Sequence, residues 1–214
     1  MNITIFIFEG LTALDAIGPY EILSRLPGAT TRFAGLSRGV VRSEGGAVGL
    51  SADAAIDEIT STDLLLVPGG VGSRRLERDP RLLEWLVAID RTTRITAAVC
   101  TGALLLGAAG LLRGRRANTH WGVRERLREF GAEPVERRTV RDGKYATSAG
   151  VSAGIDLGIE LVRELAGEPV AQRIVLGVEY APEPPIRFEE IPEGVKRELG
   201  ELIAKREQKL LGRA

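Results

Sequence analysis

Residues 96–106 read Thr96-Ala97-Ala98-Val99-Cys100-Thr101-Gly102-Ala103-Leu104-Leu105-Leu106. The opening residues are small or β-branched, as suits a strand buried in a parallel sheet. Beyond Gly102 the run turns Ala/Leu-rich, which favours a helix. The chain's only cysteine stands at the join. A sharp strand-to-helix turn lifts a side chain clear of the sheet, and the helix N-terminus behind it stabilises an anion there. Both effects suit sulfur, because the thiolate is the reactive form and a helix N-terminus lowers its pKa. Gly102 supplies the bare backbone a tight turn needs. A lone cysteine is also met as an inert core residue; the strand–Cys–x–Gly–helix setting favours the nucleophile.

Working outward, Ile3 to Phe8 and Asp63 to Val67 are apolar runs of the kind expected for strands buried on both faces. The first leads into a loop carrying Asp15 ahead of Gly18-Pro19, with a short helix expected from Tyr20 to Leu26. The second closes on Pro68-Gly69-Gly70. Thr31 to Leu36 reads as a strand, and the Gly-punctuated stretch to Leu50 as a hairpin. Asp79 is the expected N-cap of a helix with Leu82, Leu83, Leu86 and Ile89 at helical spacing. Ala117 to Thr119 reads as a short strand before His120-Trp121, and Val123 to Phe130 as a helix stopped by Gly131. Thr139 to Thr147 is a hairpin turning at Asp142-Gly143, followed by helices over 152–166 and 169–178. Tyr180 to Pro192 wraps the surface, and Val195, Leu199, Leu202, Ile203 and Leu210 form the apolar stripe of a final amphipathic helix over 195–211. That stripe has two possible docking partners, the body of the protein and a second subunit.

Alternating strands and helices imply an α/β fold with a mostly parallel sheet flanked by helices on both faces. No repeat or linker divides residues 1–214, so a single domain is expected. Ligands of such sheets bind beyond the carboxyl ends of the strands. Asp15, Gly69-Gly70 and Cys100 each follow an expected strand, so three strand ends converge on one place.

The chemistry follows from these residues. A cysteine nucleophile usually has a histidine base beside it; here residue 101 is Thr, and the single histidine is His120. Asp15 is the alternative proton carrier, because like charge and burial raise a carboxyl's pKa and keep it protonated as a donor; its other reading is a loop or N-cap aspartate. Gly69 and Gly70 would let backbone N–H groups approach developing negative charge, with the Thr101 amide as a further donor. The Thr101 hydroxyl is placed to orient water or substrate, and His120 and Trp121 to line the pocket; each also has an ordinary packing reading.

Composition sets the bounds. The chain has 214 residues, 44% hydrophobic, with 29 Lys+Arg against 29 Asp+Glu. That length supports a substantial core, and the balanced charge gives no argument for nucleic acid or an anionic membrane. One cysteine and one histidine exclude an internal disulfide and a Cys/His metal cluster. No apolar run approaches transmembrane length, and the start lacks a signal peptide's basic region and cleavage site, so a cytoplasmic protein is expected.

With these residues in place, the sequence resembles the ThiJ/PfpI superfamily, whose fold is flavodoxin-like, of the class I glutamine amidotransferase type. The resemblance runs to about residue 185. Within the superfamily, 14–20 (Leu-Asp-Ala-Ile-Gly-Pro-Tyr), 67–70 (Val-Pro-Gly-Gly), 99–102 (Val-Cys-Thr-Gly), 119–121 (Thr-His-Trp) and 179–182 (Glu-Tyr-Ala-Pro) together resemble the isonitrile-hydrating branch. The resemblance implies Cys100 as nucleophile, Asp15 as acid/base and Thr101 assisting, in a homodimer without metal or organic cofactor. It implies addition of water to a small-molecule isonitrile through a Cys100 thioimidate, giving an N-substituted formamide. Thr101 departs from the protease-like branch, which has His after the cysteine. A related branch of ligand-sensing regulators adds a DNA-binding domain, for which the roughly thirty residues after Pro185 are too few. Two alternatives remain open: an enzyme acting on methylglyoxal-type dicarbonyls, and a sensor in which Cys100 is oxidised once. The final helix is given no catalytic role.

Overall fold

The computed structural model describes residues 1–210 and Gly212. The strands, in chain order, are β1 (Asn2–Phe6), β2 (Thr30–Gly35), β3 (Gly39–Arg42), β4 (Gly49–Ala52), β5 (Ala54–Ala55), β6 (Leu64–Val67), β7 (Ile95–Val99), β8 (Arg116–Ala117), β9 (Glu133–Pro134), β10 (Thr139–Asp142) and β11 (Tyr145–Ser148). The central sheet has the order β10-β11-β7-β6-β1-β2-β5. All its pairings are parallel except β10–β11, the hairpin expected at Asp142-Gly143. β3 and β4 form the second expected hairpin.

Register explains why the strand ends meet. Ile5 pairs with Leu66 and Leu66 with Ala97, so β1, β6 and β7 run in step and end along one edge. Every residue of β6 and β7 is buried, so both faces of these strands are covered. The helices are α1 (Ala13–Leu23), α2 (Ser73–Leu76), α3 (Pro80–Asp90), α4 (Gly102–Ala108), α5 (Ala153–Ala166), α6 (Glu168–Gly177) and α7 (Glu193–Leu210). Asp79 caps α3 as expected, its Oδ1 accepting from the Arg81 and Leu82 amides at 3.0 and 3.3 Å. Among the described residues no helix is long and apolar enough to cross a membrane.

Three local expectations are corrected. Asp15 was expected in a loop and Pro19 at a helix start; α1 instead begins at Ala13, with Asp15 in its first turn and Pro19 inside it. The cause is tertiary, a close crossing of α1 and α5. A Cβ on Gly18 would lie 3.0 Å from Ile155 Cγ1, and one on Gly154 would lie 3.2 Å from the Pro19 ring. The packing these bare positions allow outweighs the helix-breaking tendency of an internal proline. The expected helix after Val123 is a 3₁₀ segment over Trp121–Phe130, ended by Gly131 in the left-handed conformation. The expected final helix over 195–211 is α7, and Leu211 lies outside the described residues. Its stripe does not dock as a unit, since Val195, Leu199 and Leu202 remain exposed while Ile203 packs against the core.

Candidate active site

Cys100 directly follows β7 and has a φ of +54°, a left-handed conformation uncommon for a residue with a Cβ. Both sides of the turn are pinned. The Cys100 amide donates to the Ala149 carbonyl at 3.2 Å, and the Thr119 hydroxyl donates to the Cys100 carbonyl at 2.7 Å. The helix behind it must start close against β6, because a Cβ on Gly102 would lie 2.1 Å from the Val67 carbonyl oxygen. Only glycine fits there.

The three strand ends converge as expected. Asp15, fully buried, accepts a 2.9 Å hydrogen bond on Oδ2 from the Gly69 amide, and its Oδ1 has no partner among the described residues. The Gly70 amide donates to Thr101 Oγ1 at 2.9 Å, and Ser73 Oγ lies 3.2 Å from the same hydroxyl. The expected role of these glycines is therefore corrected. Their amides are already engaged, holding the Asp15 carboxyl and the Thr101 hydroxyl, so they are not open donors for developing charge. The amides that interact with the Cys100 sulfur are those of Thr101 and Val151. Val151, which sequence reasoning missed, has a φ of +34° just ahead of α5.

Burial dominates the electrostatics. It raises the Asp15 pKa from 3.8 to about 7, against the lowering effects of the Gly69 amide and the neighbouring thiol, with Glu44 adding a further push upward. Burial likewise pushes the Cys100 thiol well above its ordinary range, and the Asp15 charge adds to this. The Thr101 and Val151 amides and Arg74 oppose the rise without cancelling it. The direction of the Cys100 shift runs against the expectation of a thiolate stabilised by the helix start. Asp15 and Cys100 form a buried pair in which the sulfur keeps its proton and the carboxyl titrates near neutrality.

His120 caps the 3₁₀ segment, its Nδ1 accepting from the Gly122 amide at 3.2 Å. Burial lowers its pKa, so the neutral ring carries its proton on Nε2. It lines the cavity with Cys100, whereas Trp121 does not; that indole borders a neighbouring cleft with Phe188, and its expected place beside the thiol is corrected.

The cavity beside the thiol has a volume of about 150 Å³. Residues unforeseen from the sequence complete it: Glu44, Val71 and Arg74 from the body, and Ile203, Arg206 and Glu207 from α7. The final helix, expected to have no catalytic role, lines one side of the cavity. The Gly-Gly turn before α2 was the one signal near Arg74; nothing local marked Glu207, whose partners are remote in sequence. Among the described residues no group of three or more His, Cys, Asp or Glu is placed to hold a metal ion.

Comparison with known proteins gives a consistent set of relatives. A model of the DJ-1/PfpI family matches residues 1–164. Isonitrile hydratase of Pseudomonas putida is 38% identical over 185 residues, covering 86% of this chain and 81% of that protein. Deglycase PfpI of Pyrococcus furiosus is 27% identical over 137 residues, covering 63% of this chain and 81% of that one. A crystal structure of a ThiJ/PfpI family protein from Pseudomonas syringae superposes with a TM-score of 0.93 at 33% identity, covering 99% of this chain and 89% of that one.

Proposed function

This chain belongs to the DJ-1/PfpI family, and from that premise we propose that it is an isonitrile hydratase, adding water to R–N≡C to give R–NH–CHO. One observation carries the reading: a fully buried carboxyl with a pKa near 7 neighbours a protonated thiol, and that thiol lines a small cavity. An uncharged linear substrate suits such a site, and the 38% identity to the Pseudomonas putida isonitrile hydratase supports it.

In the proposed mechanism, the Asp15 carboxylate takes the thiol proton as the Cys100 sulfur bonds to the terminal carbon. The same proton passes to that carbon, giving the thioimidate R–N=CH–S–Cys100. A water oriented by the Thr101 hydroxyl then adds to the carbon, with Asp15 accepting a water proton and delivering it to nitrogen. The intermediate R–NH–CH(OH)–S–Cys100 collapses, the C–S bond breaks, and the hydroxyl proton returns to sulfur. The Thr101 and Val151 amides hold the sulfur as negative charge develops on it. No metal or organic cofactor enters these steps. A homodimer is part of the same proposal, supported by the large apolar side chains exposed at Leu176, Ile186 and Phe188; sedimentation velocity tests it.

The test is formamide production from cyclohexyl isocyanide, with Cys100→Ala and a methylglyoxal substrate in parallel. Turnover lost in Cys100→Ala, with the dicarbonyl untouched, is the expected result. Dicarbonyl turnover alone would make it a deglycase-type enzyme, and a single stoichiometric modification of Cys100 without turnover would make it a sensor.

A further inference from the structure

Helix α7 is fastened by charge more than by apolar contact. Its one buried residue is Glu207, whereas Val195, Leu199 and Leu202 stay 51%, 45% and 56% exposed. Glu207 Oε1 accepts from Arg74 Nε at 2.7 Å, and Glu207 Oε2 from Arg126 Nη1 at 3.1 Å. Arg126 Nη2 in turn reaches Glu77 Oε2 at 2.5 Å. The side chains of Arg74 and Glu207 are only 7% and 10% exposed. Arg74 lies on α2 and Arg126 on the 3₁₀ segment, so one carboxylate ties α7 to two separate parts of the body.

The face so fastened is the one over the thiol. Ile203, Arg206 and Glu207 lie three and four residues apart, on one side of the helix, and all three line the Cys100 cavity. A Cβ on Gly122 would lie 2.7 Å from Ile203 Cδ1, so bare backbone in the 3₁₀ segment makes the seat for this roof. Arg74 also donates to the Gly70 carbonyl at 3.0 Å, and the Gly70 amide holds the Thr101 hydroxyl. The fastening therefore ends one residue from the site.

We propose that α7 is a lid over the Cys100 cavity, with Glu207 as its latch and Ile203 as the residue that sets how large a substituent the substrate carries. Two cations and two anions alternate in the latch, and removing one partner strands a buried charge. Docking is accordingly close to all-or-none. Ile203 is the apolar part of the roof, against which a group extending from the reacting carbon packs. The size limit rests on the isonitrile reading; the lid does not.

The single cysteine of the 214-residue chain gives a direct test. Cys100 is alkylated under native conditions with iodoacetamide and with the bulky N-(1-pyrenyl)maleimide, in wild type, Glu207→Ala, Ile203→Ala and the outward-facing control Glu201→Ala. Glu207→Ala is expected to raise the bulky reagent's rate relative to iodoacetamide by about tenfold, as local opening becomes easier. A mere change in thiol ionisation would scale both reagents alike, and a shifted pH profile would reveal it. Ile203→Ala is expected to move the kcat/KM ratio of adamantyl to methyl isocyanide about tenfold toward the bulky substrate. An unchanged reagent ratio in a Glu207→Ala protein that still melts cooperatively overturns the lid. Should that variant not fold, the reagent ratio in Ile203→Ala decides in the same way. A changed reagent ratio without isonitrile turnover leaves the lid standing and refutes the isonitrile reading instead.

Discussion

Replacing Asp15 by Asn is expected to abolish turnover while making the protein more stable at alkaline pH. Asp15 is fully buried, and its pKa stands at about 7 against 3.8 for the free side chain. Each tenfold change in proton affinity is worth about 1.4 kcal/mol, so the ionised carboxylate costs the folded state about 4 kcal/mol once both states have lost the proton. A raised folded pKa means that stability is fully present below pH 3.8 and is lost as pH rises through about 7. Asn carries no such charge. Its carbonyl oxygen can still accept from the Gly69 amide, but its NH₂ group has no acceptor and costs about 1–3 kcal/mol. The balance predicts a variant about 1–3 kcal/mol more stable than wild type at pH 8, and equal or less stable at pH 4. Urea unfolding at both pH values, followed by the fluorescence of Trp85 and Trp121, measures the two differences. Formamide production should fall by at least about 100-fold, the usual scale of a lost general acid/base. A variant less stable than wild type at pH 8, by the same margin as at pH 4, would refute the claim that Asp15 is held in a desolvated, proton-seeking state.

Two further substitutions probe how that state is built. Thr101→Val keeps the shape but removes the acceptor of the Gly70 amide, and is expected to cost about 1–3 kcal/mol in urea unfolding as well as most of the turnover. An unchanged unfolding midpoint would show that this hydrogen bond contributes nothing. Gly69→Ala would set a Cβ 2.5 Å from the Thr101 amide nitrogen and 2.9 Å from Asp15 Oδ2, displacing the carboxyl from the thiol. Loss of about 100-fold in kcat is expected from a misplacement of that order, with the fold retained by circular dichroism; full activity would mean that the spacing of Asp15 and Cys100 does not matter.

The strands that place the site were legible because they are buried on both faces. Ile3 to Phe8 and Asp63 to Val67 had to be unbroken apolar runs, and their ends had to fall on one edge once the sheet was parallel. Asp15, Gly69, Gly70, Cys100 and Thr101 were found by that reasoning, and they do meet. What escaped it was set by contacts between distant residues. Pro19 reads locally as a helix start and becomes interior only because Gly154 and Gly158 of α5 leave space for α1 to lie close. α7 was read by its apolar stripe, yet its docking face is chosen by Arg74 and Arg126, 133 and 81 residues away from Glu207. Hydrophobic periodicity carries no record of such pairings.

The thiol itself is where a local rule pointed the wrong way, and the magnitudes say why. A helix terminus contributes about 0.3–1 kcal/mol to a nearby charge, whereas full burial displaces a pKa by up to about 3–5, several kcal/mol. At Cys100 the helix is the seven-residue α4, and the buried cysteine shares its cavity with Val151, just ahead of α5, and with residues of α7. Burial outweighs the helix, and the thiol pKa is raised and not lowered. Under the proposed mechanism the nucleophile then exists only while a substrate carbon is receiving it, because Asp15 accepts the proton in the same event. A lid that keeps water from the pair is part of this arrangement, since hydration of the Asp15 carboxyl would lower its pKa and remove its hold on that proton. Opening α7 is therefore expected to leave the thiol more exposed to alkylation and yet less competent in turnover, a divergence that exposure alone would not produce.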